Sequence, residues 1–178
     1  MSWRFLIPAT ALALFGCDYS YPGDPCTAGV ELDNDTRDRA TSLGSLSDAG
    51  EDTRVEHAFP SAEHSDWFVV AIEDRGQDGN PDIDITLETD PFTGYLQIEA
   101  FITCESGQII DLNCSNGGIE DSDLGPDACK SSSGSITIDY DCGAGGDDTV
   151  DNAILAIHLI PDESLDECVG YALDISVD

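Results

Sequence analysis

The chain has 178 residues, enough for one domain and a short leader but not for two large domains. Its 37 Asp and Glu against 6 Lys and Arg give a formal charge of -31. Nucleic acids and anionic lipid surfaces are held by Lys and Arg, so neither is an electrostatic partner here, and any membrane attachment has to be covalent or hydrophobic. A hydrophobic fraction of 40%, with aromatic residues spread from Trp67 to Tyr171, supplies a core and excludes a disordered chain.

In chain order, Met1 to Arg4 gives a positive start, and Phe5 to Phe15 is an apolar stretch broken by Pro8 and Thr10. A run of about 11 residues suits the core of an export leader and falls short of the roughly 20 that span a bilayer. Residues 1–16 are therefore expected to be a signal peptide. Leu14-Phe15-Gly16-Cys17 resembles the lipobox of bacterial lipoproteins, with Phe15 larger than the residue usual between Leu and Gly. The resemblance implies that the leader is cut before Cys17. That cysteine would then carry a diacylglyceryl thioether and an amide-linked acyl chain such as palmitate. The protein would sit in the cell envelope, anchored to a bacterial membrane and facing the periplasm or the cell surface. At about 0.8 kcal/mol per buried CH2, two or three chains anchor firmly where one binds marginally.

Export also means an oxidising compartment, and 7 cysteines are an odd number. With Cys17 set aside, Cys26, Cys104, Cys114, Cys129, Cys142 and Cys168 are left to form three disulfides. Residues 17–34, rich in Pro, Gly and Asp and without apolar period, read as a short tether. Residues 35–178 read as a single domain.

Within that domain the apolar period is two. Ile83, Ile85 and Leu87 alternate with Asp82, Asp84, Thr86 and Glu88, and Leu96, Ile98, Ala100 and Ile102 alternate with Gln97, Glu99 and Thr103. The pattern returns at Ile136, Ile138, Tyr140 and Cys142, and again at Val169, Tyr171, Leu173, Ile175 and Val177. Each reads as a strand with one face in the core. Trp67 to Ile72 and, but for His158, Ala153 to Ile160 are apolar runs, as expected for central strands covered on both faces or running deep in a sandwich. Val55 to Phe59 and Ile109 to Leu112 complete about eight strands. With Gly-, Pro-, Asn- and Asp-rich connections between them, the expected fold class is all-β, an antiparallel sandwich or barrel.

Asn34-Asp-Thr36, Ala40 to Gly44, Ser65-Asp-Trp-Phe-Val-Val70, Cys104-Glu-Ser-Gly107, Gly146-Asp-Asp148 and Cys168 to Ile175 resemble the bacterial pre-peptidase C-terminal domain. The resemblance implies a jelly-roll-like β-sandwich that serves as an accessory module in secretion, binding or attachment, with no catalytic residues to transfer. Asp121 to Asp127 departs from the family as an acidic insertion.

Candidate chemistry is sparse. There is no Gly-x-Ser-x-Gly elbow, and His57, His64 and His158 are the available bases. His158 shares a strand face with Ile154, Ala156 and Ile160 and reads as a packed residue, while the spacing of His57 and His64 does not match a zinc site. Six cysteines allow fifteen pairings. Cys104–Cys114, closing a loop of about 11 residues, Cys129–Cys142 across a Ser/Gly turn, and Cys26–Cys168 by elimination form the set that spacing favours. Loop carboxylates leave two readings, plain acidic turns, which arise readily in a chain so rich in Asp, or a structural calcium held by Asp74, Asp78, Asn80 and Asp82 or by Asp147, Asp148, Asp151 and Asn152, since hard cations take several oxygen ligands from loops. No other cofactor is expected.

The resulting expectation is a non-enzymatic, lipid-anchored module that binds a protein or glycan ligand and no nucleic acid. A calcium-dependent carbohydrate- or peptide-binding module, with Phe92 or Tyr95 offering an aromatic face, is the alternative. A hydrolase using paired carboxylates is the third reading.

Overall fold

Successive side chains of an extended chain point to opposite faces, so a period of two sorts each strand into a core side and a solvent side. A computed structural model of the chain describes residues 33–59, 61, 63–75, 79–90, 96–120, 128–143, 151–161 and 168–178. The leader, Cys17, Cys26, Asp78, Phe92, Tyr95, Asp147 and Asp148 lie outside them. All eight expected strands form: β2 (Glu51–Phe59), β3 (Asp66–Glu73), β4 (Asp82–Asp90), β5 (Leu96–Cys104), β6 (Ile109–Ser115), β9 (Ser135–Cys142), β10 (Ala153–Pro161) and β11 (Val169–Val177). Three more join them: β1 (Thr41–Ser47), β7 (Gly118–Glu120) and β8 (Ala128–Ser131). Two of these are too short to show a period, and β1 carries just Leu43 and Leu46 among small polar residues.

The strands make a six-stranded sheet in the order β1-β3-β10-β5-β8-β7 and a five-stranded sheet in the order β2-β11-β4-β9-β6. From β2 onward each connection carries the chain to the opposite sheet, except between β7 and β8, and this alternation is the jelly-roll winding. Every pairing is antiparallel except β1 with β3. That exception follows from the winding. The chain leaves β1 for the other sheet as β2 and returns as β3, so two reversals restore the direction of β1.

The two inner faces share one apolar layer. Phe68, Val70 and Ile72 of β3, Leu155, Ile157 and Leu159 of β10 and Ile98 and Ile102 of β5 meet Ile83 and Ile85 of β4, Ile136, Ile138 and Tyr140 of β9 and Leu173, Ile175 and Val177 of β11. The outer face of the six-stranded sheet is covered in part, over Trp67 of β3 and Ala156 of β10, while Val69, Ala71, Ile154 and Ile160 are half-buried. There Trp67, Phe101, Ala128 and Ala156 are buried, with Ala40 packed on them and the Arg37 guanidinium 5.5 Å from the centre of the Phe101 ring. Asn34 fastens this cover, its amide donating to the Trp67 carbonyl (3.1 Å) while the Trp67 N–H donates back to the Asn34 carbonyl (2.9 Å).

The winding overturns two of the disulfides that spacing favours. Cys104 is bonded to Cys142 and Cys114 to Cys129, with Cα atoms 5.8 and 5.6 Å apart, so Cys104–Cys114 and Cys129–Cys142 do not form. Cys104 ends β5 in one sheet and Cys142 ends β9 at the same end of the other, whereas Cys114 lies far along β6 and faces β8 across the core. Residues flanking a turn therefore do not meet when the turn crosses between sheets. Cys168 is also disulfide-bonded, and its partner lies outside the described residues.

The bridges span 38 and 15 residues. Loop-closure entropy gives them about 4 and about 3 kcal/mol respectively. Peptide mapping without reduction should recover Cys104–Cys142 and Cys114–Cys129. Replacing both cysteines of either bridge with serine should lower the unfolding free energy by about those amounts in urea melts.

Candidate functional site

Three groups of polar residues stand apart from the apolar layer. The first lies at the end of the sandwich where β3 stops and β10 begins. Asp74 just after β3 accepts a hydrogen bond from the Asp151 N–H (2.7 Å), and Asn152 Oδ1 accepts one from the Asp74 N–H (2.9 Å). Asp151 in turn accepts from the Cys142 N–H (2.9 Å), and its carbonyl accepts from the Tyr140 hydroxyl (2.8 Å). Asp74 and Asp151 are both buried, and the Arg75 N–H beside them donates to the Asp48 carboxylate (3.1 Å). Burial first, then the charges of Asp151, Asp74 and Asp48, pushes the Tyr140 hydroxyl above its ordinary range and keeps it a donor. The fold thus joins Asp74 from one expected calcium loop to Asp151 and Asn152 from the other. It does so as a clasp in which these side chains hold backbone N–H groups.

Asn80 is exposed ahead of β4, and Asp82 stands on the outer face of the five-stranded sheet. Among the described residues, no three His, Cys, Asp or Glu side chains converge closely enough to hold a metal ion.

The second group is that outer face. The alternation that buries Ile83, Ile85 and Leu87 turns Asp82, Asp84 and Glu88 outward. Neighbouring strands add Asp52 and Glu56 from β2, Asp174 from β11, Asp139 and Asp141 from β9 and Asp111 from β6. Like charges stand directly opposite each other at Asp82 and Asp139 and at Asp111 and Asp141, an arrangement that opposes strand pairing. Partial burial, then Asp139, Asp84 and Asp178, raises the Asp82 carboxyl above the usual carboxylate range. Among the described residues Arg54 is the one base on this face, and it contacts Glu56, Glu88 and Asp174. Exposed pairs of this kind contribute little each, so the face remains strongly negative.

The third group lies at the other end of β3. Inward-facing Asp66 accepts from the Tyr171 hydroxyl (2.5 Å), with His57 Nδ1 3.6 Å from the same carboxylate oxygen. Burial and the Asp66 charge push the Tyr171 hydroxyl far up. On the outer side Glu99, also buried, accepts from Lys130 (3.0 Å) and shares a hydrogen bond with His158 Nδ1 (3.2 Å), and His158 stacks on Trp67 with ring centres 4.1 Å apart. Sequence reasoning places His158 correctly as a packed residue. It misses Glu99, which alternation assigns to solvent. The signal available was that Lys130 is the single lysine of the chain.

Taken together, every described basic side chain is engaged by the protein itself: Arg37 on Phe101, Arg39 with Asp33 and Asp35, Arg75 with Glu51 and Glu73, and Arg54 and Lys130 as above. No family model and no curated protein matches this chain.

Two outcomes test this reading of the buried charges. Tyr171→Phe leaves the Asp66 carboxylate without its donor and should cost about 1.5–3 kcal/mol in urea melts. Burial holds the His158 imidazole below its ordinary pKa, with Glu99 and Asp66 partly opposing and Lys130 adding to the shift. The unfolded chain therefore takes up the proton first, and the stability that depends on neutral His158 is complete above about pH 6.5 and lost as pH falls. Midpoints should drop as pH falls below about 6.5, and less so in His158→Gln.

Proposed function

We propose that the protein is a lipid-anchored, non-enzymatic lipoprotein of the bacterial cell envelope. Its β-sandwich presents an acidic face for binding, attachment or assembly. The observation that carries this reading is the outer face of the five-stranded sheet, where carboxylates from five strands stand together and the one base among the described residues is already engaged. Such a face selects cationic partners and repels polyanions and anionic membranes, which leaves a covalent lipid as the route to a membrane. The lipobox-like Leu14-Phe15-Gly16-Cys17 supplies the attachment point, and the resemblance to pre-peptidase C-terminal domains supports an accessory, binding role. With Cys17 acylated, Cys26 is left as the partner of disulfide-bonded Cys168.

Intact mass of the detergent-extracted protein should show a chain beginning at Cys17 with two or three acyl chains and a gain of six hydrogens on reduction. Cys17→Ser should release the protein from the membrane fraction. An unmodified N-terminus on the membrane-bound protein would overturn the proposal.

A second reading, a calcium-dependent binding module, is favoured by the meeting of Asp74, Asp151 and Asn152 from loops far apart in the chain. Their oxygens suit a hard cation, and ligands beyond them would come from Asp78, Asp147 or Asp148. On this reading millimolar calcium raises the melting temperature and Asp74→Asn abolishes the rise. An unchanged melting temperature leaves the clasp as a purely structural device.

A further inference from the structure

The five-stranded sheet ends in β6, and among the described strands none pairs with its outer side. Open edges are normally blunted by Lys, Pro or a covering element, because a row of free N–H and C=O groups invites another strand. β6 and the neighbouring β7 contain neither Lys nor Pro, and the single irregularity of β6, a register shift between Ile109 and Asp111, blunts only its start and leaves Asp111 to Ser115 in regular pairing with β9. Instead they carry Ile110 and Ile119, 45% and 49% exposed, the exposed large hydrophobic residues among those described. β7 is the last strand of the six-stranded sheet and follows β6 through the turn at Asn116 and Gly117, so both isoleucines belong to the same side of the sandwich. That turn is tightly set. Asn116 has φ 62°, and a Cβ on Gly117 would lie 2.3 Å from the Lys130 carbonyl oxygen. The Cys114–Cys129 bridge then ties β6 to the opposite sheet, and none of the described strands covers the edge.

We propose that this edge takes up an extended segment of a partner protein as an added strand, with Lys or Arg alternating with apolar residues. The alternation follows from the pleat: one side of an added strand comes beside outward Asp111 and Asn113, behind which stand Asp141 and Asp139, and the other comes beside the half-buried Leu112. Cationic side chains match the first side and apolar ones the second, with Ile110 as a further apolar contact. A second copy of this chain is the wrong occupant, because it would set its own Asp111 and Asp141 against theirs on a body of charge -31. The inference rests on the acidic-face reading above and names the partner class that face would take.

The test uses the full mature chain in detergent and three synthetic peptides of about seven residues, a common strand length. One alternates Lys and Val, one alternates Glu and Val, and one has the Lys and Val in two blocks. The Lys/Val alternating peptide should bind at least tenfold more tightly than the other two and slow hydrogen exchange at residues 109–115. Ile110→Lys should weaken it at least tenfold. Asp111→Lys should do the same, and since that change relieves the Asp111–Asp141 repulsion, a loss there is not a folding defect. Equal binding of the block peptide, protection elsewhere than β6, or β6 protection that grows with protein concentration in the absence of peptide would each overturn the proposal. The mass of the N-terminus is unaffected by any of these results, so failure of the edge and failure of the anchor are read separately.

Discussion

The structure depends on one shared apolar layer between two sheets whose strands alternate along the chain. Each buried Ile, Leu, Val or Phe contributes about 1.5–3 kcal/mol, and ordering each residue costs about 1–2 kcal/mol of backbone entropy, so the balance is narrow. Against it works a surface with carboxylates facing carboxylates, as at Asp82 and Asp139. Two disulfides crossing the layer, each stabilising by a few kcal/mol, offset that repulsion near β6, β8 and β9. In a body this acidic they help keep the sheets together at the side where β6 and β7 are the last of the described strands.

The distribution of charge follows from the same constraint. A buried carboxylate is costly unless a donor or a cation reaches it. Tyr171 reaches Asp66, Lys130 and His158 reach Glu99, and backbone N–H groups reach Asp74 and Asp151. The scarce bases of the chain are thereby drawn inward or paired locally, and the acid excess is left on the outside. Acidity of the surface and pairing in the interior are two results of one allocation.

The polar features of the molecule are its ends, its outer faces and its edge. The clasp of Asp74, Asp151 and Asn152 couples the ends of β3, β9 and β10 and stands beside the Cys104–Cys142 bridge. The outer face of the five-stranded sheet offers charge without apolar area, and the β6–β7 side offers apolar area and backbone groups within that charge.

By itself the sequence determined eight of the eleven described strands and the core face of each, because the pleat makes that choice within a few residues: Ile83, Ile85 and Leu87 inward, Asp82, Asp84 and Glu88 outward. It also determined that β3 and β10 are central strands, from their long apolar runs. The parallel placement of β1, the pairing of Cys104 with Cys142 and of Cys114 with Cys129, the meeting of Asp74 with Asp151 and the burial of Glu99 were decided by the tertiary structure alone. The reason is common to all four. Each depends on which sheet a strand joins and which strand lies beside it, and those neighbours come from parts of the chain that local period cannot relate.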